Sequence, residues 1–338
     1  AGLSAAREEA RKTDMQVAMD VRKTYWTCVM THNLVTILQD TFDRMETTLD
    51  LTERLYTAGS GKVKKTDFLR NKLTVEALRS SLATMQGLEQ TALSALATVM
   101  GLNWPERVIP ADENLPFDKQ TVAAEQLVPA TLQFNPDWAR LEAGLRAAEG
   151  KIRESKSGHL PKLALFGNIQ GIENDYDKGT MTPRNKHNWT LGIGMEYSLF
   201  DGNLTTQKVR EARARLKKLQ EEKILLREGL CLMVQQFCNG VNYAQKQVSA
   251  LEDSAKAAIE NRELNIRAYQ NELVETKDVI EAQLTEAFIK AGLEKARFDR
   301  IENHLNLEFV VGRELAALLG LEPTEAGMPA STPSPSGK

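Results

Sequence analysis

No stretch of this chain approaches eighteen consecutive apolar residues, so no transmembrane helix is expected. The opening AGLSAAREEARKT is charged and helical in pattern and does not read as a signal peptide. Cysteine is scarce, with only Cys28, Cys231 and Cys238. The last two stand seven apart on one expected helix and cannot bridge each other, and no CxxC or Cys/His metal spacing exists. All three read as buried or half-buried thiols, with a Cys28 cross-link between neighbouring helices as the other reading. The histidines, His32, His159, His187 and His304, are scattered, so no metal and no cofactor are expected. A Gly-rich phosphate loop, a Ser/His/Asp set and paired catalytic carboxylates are missing too, and the chain is not expected to be an enzyme. Aromatic residues make up only 6% while charged residues reach 26%, which suits long helices packed along seams rather than one thick core. The net charge of −3 leaves no polybasic surface and argues against nucleic acid as a partner.

Proline is absent from residues 204–271, and apolar residues there keep a 3-4 spacing. The slots are Ala212, Leu216, Leu219, Leu226, Leu230, Met233, Phe237, Val241, Ala244, Val248, Leu251, Ala255 and Ala258, with one, Lys223, taken by a charge. A helix of about 68 residues is about 100 Å long and must pack beside other rods. After a break at 271–275 a second helix is expected to about residue 319, with Ile280, Leu284, Ala287, Ala291, Phe298, Ile301, Leu305 and Phe309 on its seam. Together they make an antiparallel hairpin.

The same unit occurs earlier: a helix over 14–56, a Gly-rich turn over 58–64 and a returning helix over 66–100. At a shift of about 211–213, Tyr25 matches Phe237, Tyr56 matches Tyr269 and Asp67 matches Asp278. Leu73 matches Leu284, Leu82 matches Leu293 and Gly101 matches Gly312. The chain therefore reads as two copies of one hairpin. Between them, residues 102–135 hold Trp104, Pro105, Pro110, Pro116 and Pro129 and read as a mixed belt with a short helix near 120–132. Pro136 then starts a helix over 137–157. The Pro/Ser-rich residues 322–338 read as disordered.

The most informative stretch is WTLGIGMEYSL at 189–199. Trp189, Leu191, Ile193, Met195, Tyr197 and Leu199 alternate strictly with small or polar residues, over a length that crosses a bilayer as a tilted strand. Residues 163–171 (LALFGNIQG) form a less regular partner, and the polar residues 171–188 read as a long exposed loop. Two strands alone would leave backbone groups unpaired in hydrocarbon, so a membrane hairpin requires a barrel shared between chains. The other reading is a soluble hairpin covering a helix.

Three stretches carry a resemblance to a known family: Gly158-His159-Leu160-Pro161 before a strand, Tyr197-Ser198-Leu199-Phe200-Asp201-Gly202 at the strand-to-helix junction, and 261–281 leading into the returning helix. With the duplicated architecture, they resemble the TolC family of outer-membrane efflux channels over nearly the whole chain to about residue 321. The resemblance implies a mainly α fold of long antiparallel coiled-coil hairpins in two repeats, with a membrane β-hairpin contributing to a shared trimeric β-barrel. It implies a homotrimer in the outer membrane of a Gram-negative bacterium, extending into the periplasm and contacting outer-membrane lipid. It also implies docking on a periplasmic adaptor (membrane fusion) protein and an inner-membrane transporter. The function it implies is a passive exit duct of a tripartite efflux or type I secretion system. The alternative is a non-pore structural coiled coil or a periplasmic adaptor-like protein. An adaptor should show lipoyl-like and barrel segments flanking one hairpin, and this chain has two hairpins and one strand pair.

Divided on this basis, 1–101 is the first-repeat hairpin, 102–135 the belt and 136–160 a helix leading to the barrel. Residues 161–200 are the membrane hairpin, 201–321 the second-repeat hairpin and 322–338 the tail. Residues 1–11 resemble the segment after a strand hairpin, like 203–215, so the chain reads as lacking the front of the first repeat and is not expected to close a barrel alone. The resemblance assigns Asp278 and Glu281 to a pore constriction, and Tyr269, Tyr56, Gly59 and Gly61 to a tip latch and adaptor contact. Trp189, Leu191, Ile193, Met195 and Tyr197 would face lipid. Where the family has a tip arginine this chain has Val274, and Glu272 replaces a usual glycine. Asp278 and Asp67 also fit helix N-caps. Lys62, Lys64 and Lys65 could meet an acidic adaptor surface or form a solvated turn.

Overall fold

The computed structural model describes residues 2–58, 63–103, 105–106, 108–117, 121–171, 187–271, 273–315 and 318. Gly59, Gly61, Lys62, Glu272, the interstrand residues 172–186 and the tail lie outside the described residues. Six helices and one antiparallel strand pair occur among the described residues. They are α1 (Gly2–Thr57), α2 (Lys65–Val99), α3 (Ala124–Phe134), α4 (Pro136–Ser157), β1 (Lys162–Gly171), β2 (His187–Glu196), α5 (Leu204–Gln270) and α6 (Thr276–Val311). Among them, no helix is long and apolar enough to cross a membrane.

The chain divides into two compact units. One comprises Ala1–Arg7 and Arg140–Leu226; it holds most of α4, the strands and the start of α5. Asp201 starts α5 by accepting the Thr205 backbone N–H at 2.8 Å and the Thr205 hydroxyl. These bonds to the charged form hold its carboxyl below the usual carboxylate range. Lys223, the charged slot of the expected seam, meets Glu142 of α4 at 2.9 Å. The position is thus a seam position after all, closed by an ion pair instead of a methyl group.

The other unit comprises Glu8–Ala139 and Arg227–Lys338. Its core lies where α1 meets both returning helices. Met45 of α1, Val75 of α2 and Ile280 of α6 bury one another, flanked by Phe42, Leu49, Leu78 and Leu284. Farther along, Val29 packs with Phe298, Ile301 and Leu305 and with Leu115 of the belt. The belt is tied down by polar bonds. The Tyr25 hydroxyl donates to Asp112 at 2.6 Å, and Val122 and Asn242 exchange two hydrogen bonds of 3.2 and 3.0 Å. Cys28 and Cys238 are buried free thiols, each pushed up to about 11 by burial.

Two expectations shift. The seam of α5 passes through Val234, which is fully buried, rather than Met233, which is exposed. A strict 3-4 spacing drifts about 20° per heptad against a 3.6-residue turn, so the slot moves over by one residue along so long a helix. α6 is interrupted after Val311, where Gly312 takes a left-handed conformation at φ 85°, and Leu315 and Leu318 beyond it are helical again.

Candidate functional site

The strand pair joins Lys162 to Glu196 at one end and Gly171 to His187 at the other. Directly opposed residues share a face. Leu163 therefore stands with Met195, Leu165 with Ile193, and Ile169 with Trp189, while Leu191 faces Gly167. These seven apolar side chains are 66–87% exposed. The opposite face carries Lys162, Asn168, Gln170, Thr190 and Glu196 around small residues and Phe166. The apparent irregularity of β1 thus reduces to Phe166 on the polar face and two glycines, Gly167 and the terminal Gly171, on the apolar one. Ten residues span about 33 Å, or about 25 Å at the usual tilt, which matches an outer-membrane apolar band.

The paired strand ends at Glu196 rather than Leu199. The register would put Tyr197 opposite Pro161, which has no N–H to give. Tyr197 therefore lies one residue past the ladder, still exposed.

The second group of candidate residues lies at the two hairpin tips, in the unit that contains the α1, α2 and α6 core. The tips border a cleft of about 820 Å³, lined among others by Leu51, Leu55, Lys64, Asp67, Tyr269 and Asp278. Asp278 Oδ2 accepts the backbone N–H of Glu275 at 3.0 Å, and Asp67 Oδ2 accepts that of Lys64 at 3.3 Å. The matched aspartates are thus not the N-caps, which are Glu275 and Lys64, but the third residues of two capping boxes, each satisfying a free donor where a returning helix begins. Asp278 is half-buried, while Glu281 one turn on is exposed. Tyr269 is held within its own tip, its hydroxyl accepting from Thr276 at 3.1 Å. Tyr56 stacks on Phe68 with ring centroids 5.6 Å apart. Lys277, beside the acidic pair, contacts Glu275 at 3.0 Å, a bond that raises its pKa.

Sequence reasoning passed over one cluster. Glu286 of α6 is 2% exposed, with Arg262 of α5 at 2.7 Å, Lys290 at 2.6 Å and Arg44 of α1 at 3.9 Å. Only Lys290, four residues on, was legible as a partner; the other two come from remote helices. Among the described residues no group of three or more His, Cys, Asp or Glu side chains is placed to hold a metal ion.

A family model described as outer membrane efflux protein matches residues 127–313, more than half of the chain. Outer membrane protein TolC of Vibrio cholerae serotype O1 is 21% identical over 321 residues, covering 92% of this chain and 72% of that protein. A membrane protein from Pseudomonas aeruginosa has a TM-score of 0.78 at 16% identity, over 91% of this chain and 70% of that one. The CmeC outer membrane channel of Campylobacter jejuni has a TM-score of 0.77 at 12% identity, over 92% of this chain and 65% of that one. These solved structures share the fold, and the chain spans about two thirds of the CmeC chain. By its long helical hairpins, its exposed apolar strand face and the match of the family model over more than half of its length, the chain belongs to the outer membrane efflux protein family, the outer-membrane exit ducts of efflux systems.

Proposed function

We propose that this chain is one of three that build a passive duct from the periplasm through the outer membrane. The single observation that carries the reading is the β-hairpin: one face is continuously apolar and exposed over about a membrane thickness, and the other is polar. Such a face left in water would be an aggregation site, and such a pair left alone in lipid would have two open edges. A barrel shared between copies answers both problems. The strands β1 and β2 supply part of its wall, and the long helices build its periplasmic part. The tips, with Tyr56, Tyr269 and the acidic pair Asp278 and Glu281, form the mouth that meets a periplasmic adaptor and an inner-membrane transporter. A duct works by width and charge at its narrowest points and needs no catalytic group.

The test is cysteine labelling in the membrane-inserted full-length protein. Ile193→Cys should react with a lipid-soluble probe and Gly194→Cys with a water-soluble one. Ile193→Arg should weaken insertion by roughly 2–4 kcal/mol near the midplane. Equal labelling of positions 193 and 194 by the lipid-soluble probe would remove the membrane reading.

A further inference from the structure

Among the described residues Phe166 is the one large apolar side chain on the polar face of the strand pair, and it does not stand up from the sheet as strand side chains ordinarily do. The register sets it directly opposite Gly192. A Cβ built on Gly192 would lie 2.6 Å from Phe166 Cζ, 3.0 Å from Cε2 and 3.2 Å from Cε1. One built on Gly194 would lie 3.7 Å from Cε1, an ordinary contact. The ring therefore lies across the neighbouring strand, in the space the missing side chain of Gly192 leaves. It is 52% exposed, less than any of the apolar side chains on the opposite face. Its neighbours on this face, Ala164, Asn168 and Thr190, are short. Between the long side chains Lys162 and Glu196 at one end and Gln170 near the other, the polar face is thus a low wall with one aromatic ring laid flat on a glycine seat.

We propose that the Phe166–Gly192 pair sets the free width of the barrel lumen at its own height, an inference that rests on the reading above that this face lines the lumen. Three copies would place three rings at one height. Flat on their seats, the rings are part of the wall. Stood upright, they would project inward as an apolar collar, and apolar constrictions resist the passage of water and ions. Gly192 is then a specificity-determining position: its lack of a side chain keeps the exit wide and its surface low, so that bulky cargo passes. Nothing in strand propensity favours glycine there, since glycine weakens a strand interior and commonly marks a close approach.

Single-channel recording of the full-length protein in planar lipid bilayers tests the pair. Gly192→Val fills the seat with a residue that favours strands. It should lower conductance reproducibly, as the displaced rings narrow the lumen, but by less than about two-fold, because the tips stay the narrower opening in series. Phe166→Ala in that background should restore it. Gly194→Ala, whose Cβ meets the ring only in ordinary contact, should leave conductance at the wild-type level. Gly192→Ala is the milder variant should the valine form not assemble, since its Cβ still meets the ring. Wild-type conductance in an assembled seat-filling variant overturns the proposal. A reduced conductance that Phe166→Ala fails to restore overturns it too. Labelling at positions 193 and 194 separates the two levels. Lipid-selective labelling at 193 with unchanged conductance sinks the bore assignment alone, whereas equal labelling sinks the barrel reading and this inference with it.

Discussion

Glu286 ties three helices together through one buried side chain. Its carboxylate is buried and meets cations from three helices. Removing one partner of a fully buried ion pair costs about 3–5 kcal/mol, because the other charge is left without compensation. Arg262, Lys290 and Arg44 all keep some solvent contact, so Glu286→Ala should cost less, roughly 2–3 kcal/mol. A lower thermal midpoint by circular dichroism reads it, and an unchanged midpoint would mean that solvent alone satisfies the cations. Asp201 acts at the opposite end of the exposure scale and shows its effect through pH. The Thr205 hydroxyl, then the Thr205 backbone N–H, lower its folded-state pKa. Its contribution is therefore fully present above the unfolded carboxylate value near 4, and is lost as pH falls through the lower folded value. Asp201→Asn should flatten that acid limb in a titration of helicity. A limb that persists unchanged would assign it to other carboxylates.

At the scale of elements, the duplication was legible because helix ends have chemistry of their own. Gly101 and Gly312, matched by sequence, both take left-handed conformations, at φ 73° and 85°. Gly101 closes α2 with Leu102 N–H on Ala97 and its own N–H on Thr98, a Schellman pattern. Gly312 closes α6 with one bond to Glu308. Their surroundings differ. A Cβ on Gly101 would meet nothing within 4 Å, whereas one on Gly312 would lie 2.3 Å from the Phe134 carbonyl oxygen. Arg11 bridges that same oxygen and the Gly312 carbonyl at 3.0 and 2.9 Å. Gly101→Ala should therefore cost only the left-handed penalty of about 1–2 kcal/mol. Gly312→Ala must also move backbone and should cost at least about 2 kcal/mol more. Paired thermal melts check the difference, and equal costs would show the junction to be plastic. What the sequence hid at this scale has physical causes. Lys223 looked like a flaw in the seam because its partner, Glu142, lies on another helix. Phe166 looked like a parity error because its seat is a glycine on the other strand, visible only once the register is known.

Across the whole molecule, the strand alternation and the helical periods were readable because each is a short-range rule applied over a long element. The roles of the tip residues were not, since the same aspartate satisfies a helix end and, in three copies, would line a mouth. The structure gives Asp278 its capping bond and leaves Glu281 one turn on, exposed. Lys277 beside them engages Glu275, so part of the nearby positive charge is already paired. Three such pairs around a narrow opening would stand within a Debye length of about 8 Å of permeating ions, where fixed charge acts strongly on passage. Replacement by alanine would mix this effect with the loss of a cap. Asp278→Asn together with Glu281→Gln removes the charges, and the asparagine oxygen can still accept the Glu275 N–H. In bilayer recordings of the full-length protein this double variant should lower cation-over-anion selectivity by on the order of several-fold and weaken block by multivalent cations. Asp67→Asn serves as the comparison: it removes one charge at the first tip with the same kind of capping bond, and should change selectivity less. A helix-cap role alone predicts unchanged selectivity in the double variant. The mouth reading stands only if the second-tip charges, and not the first, set which ions pass.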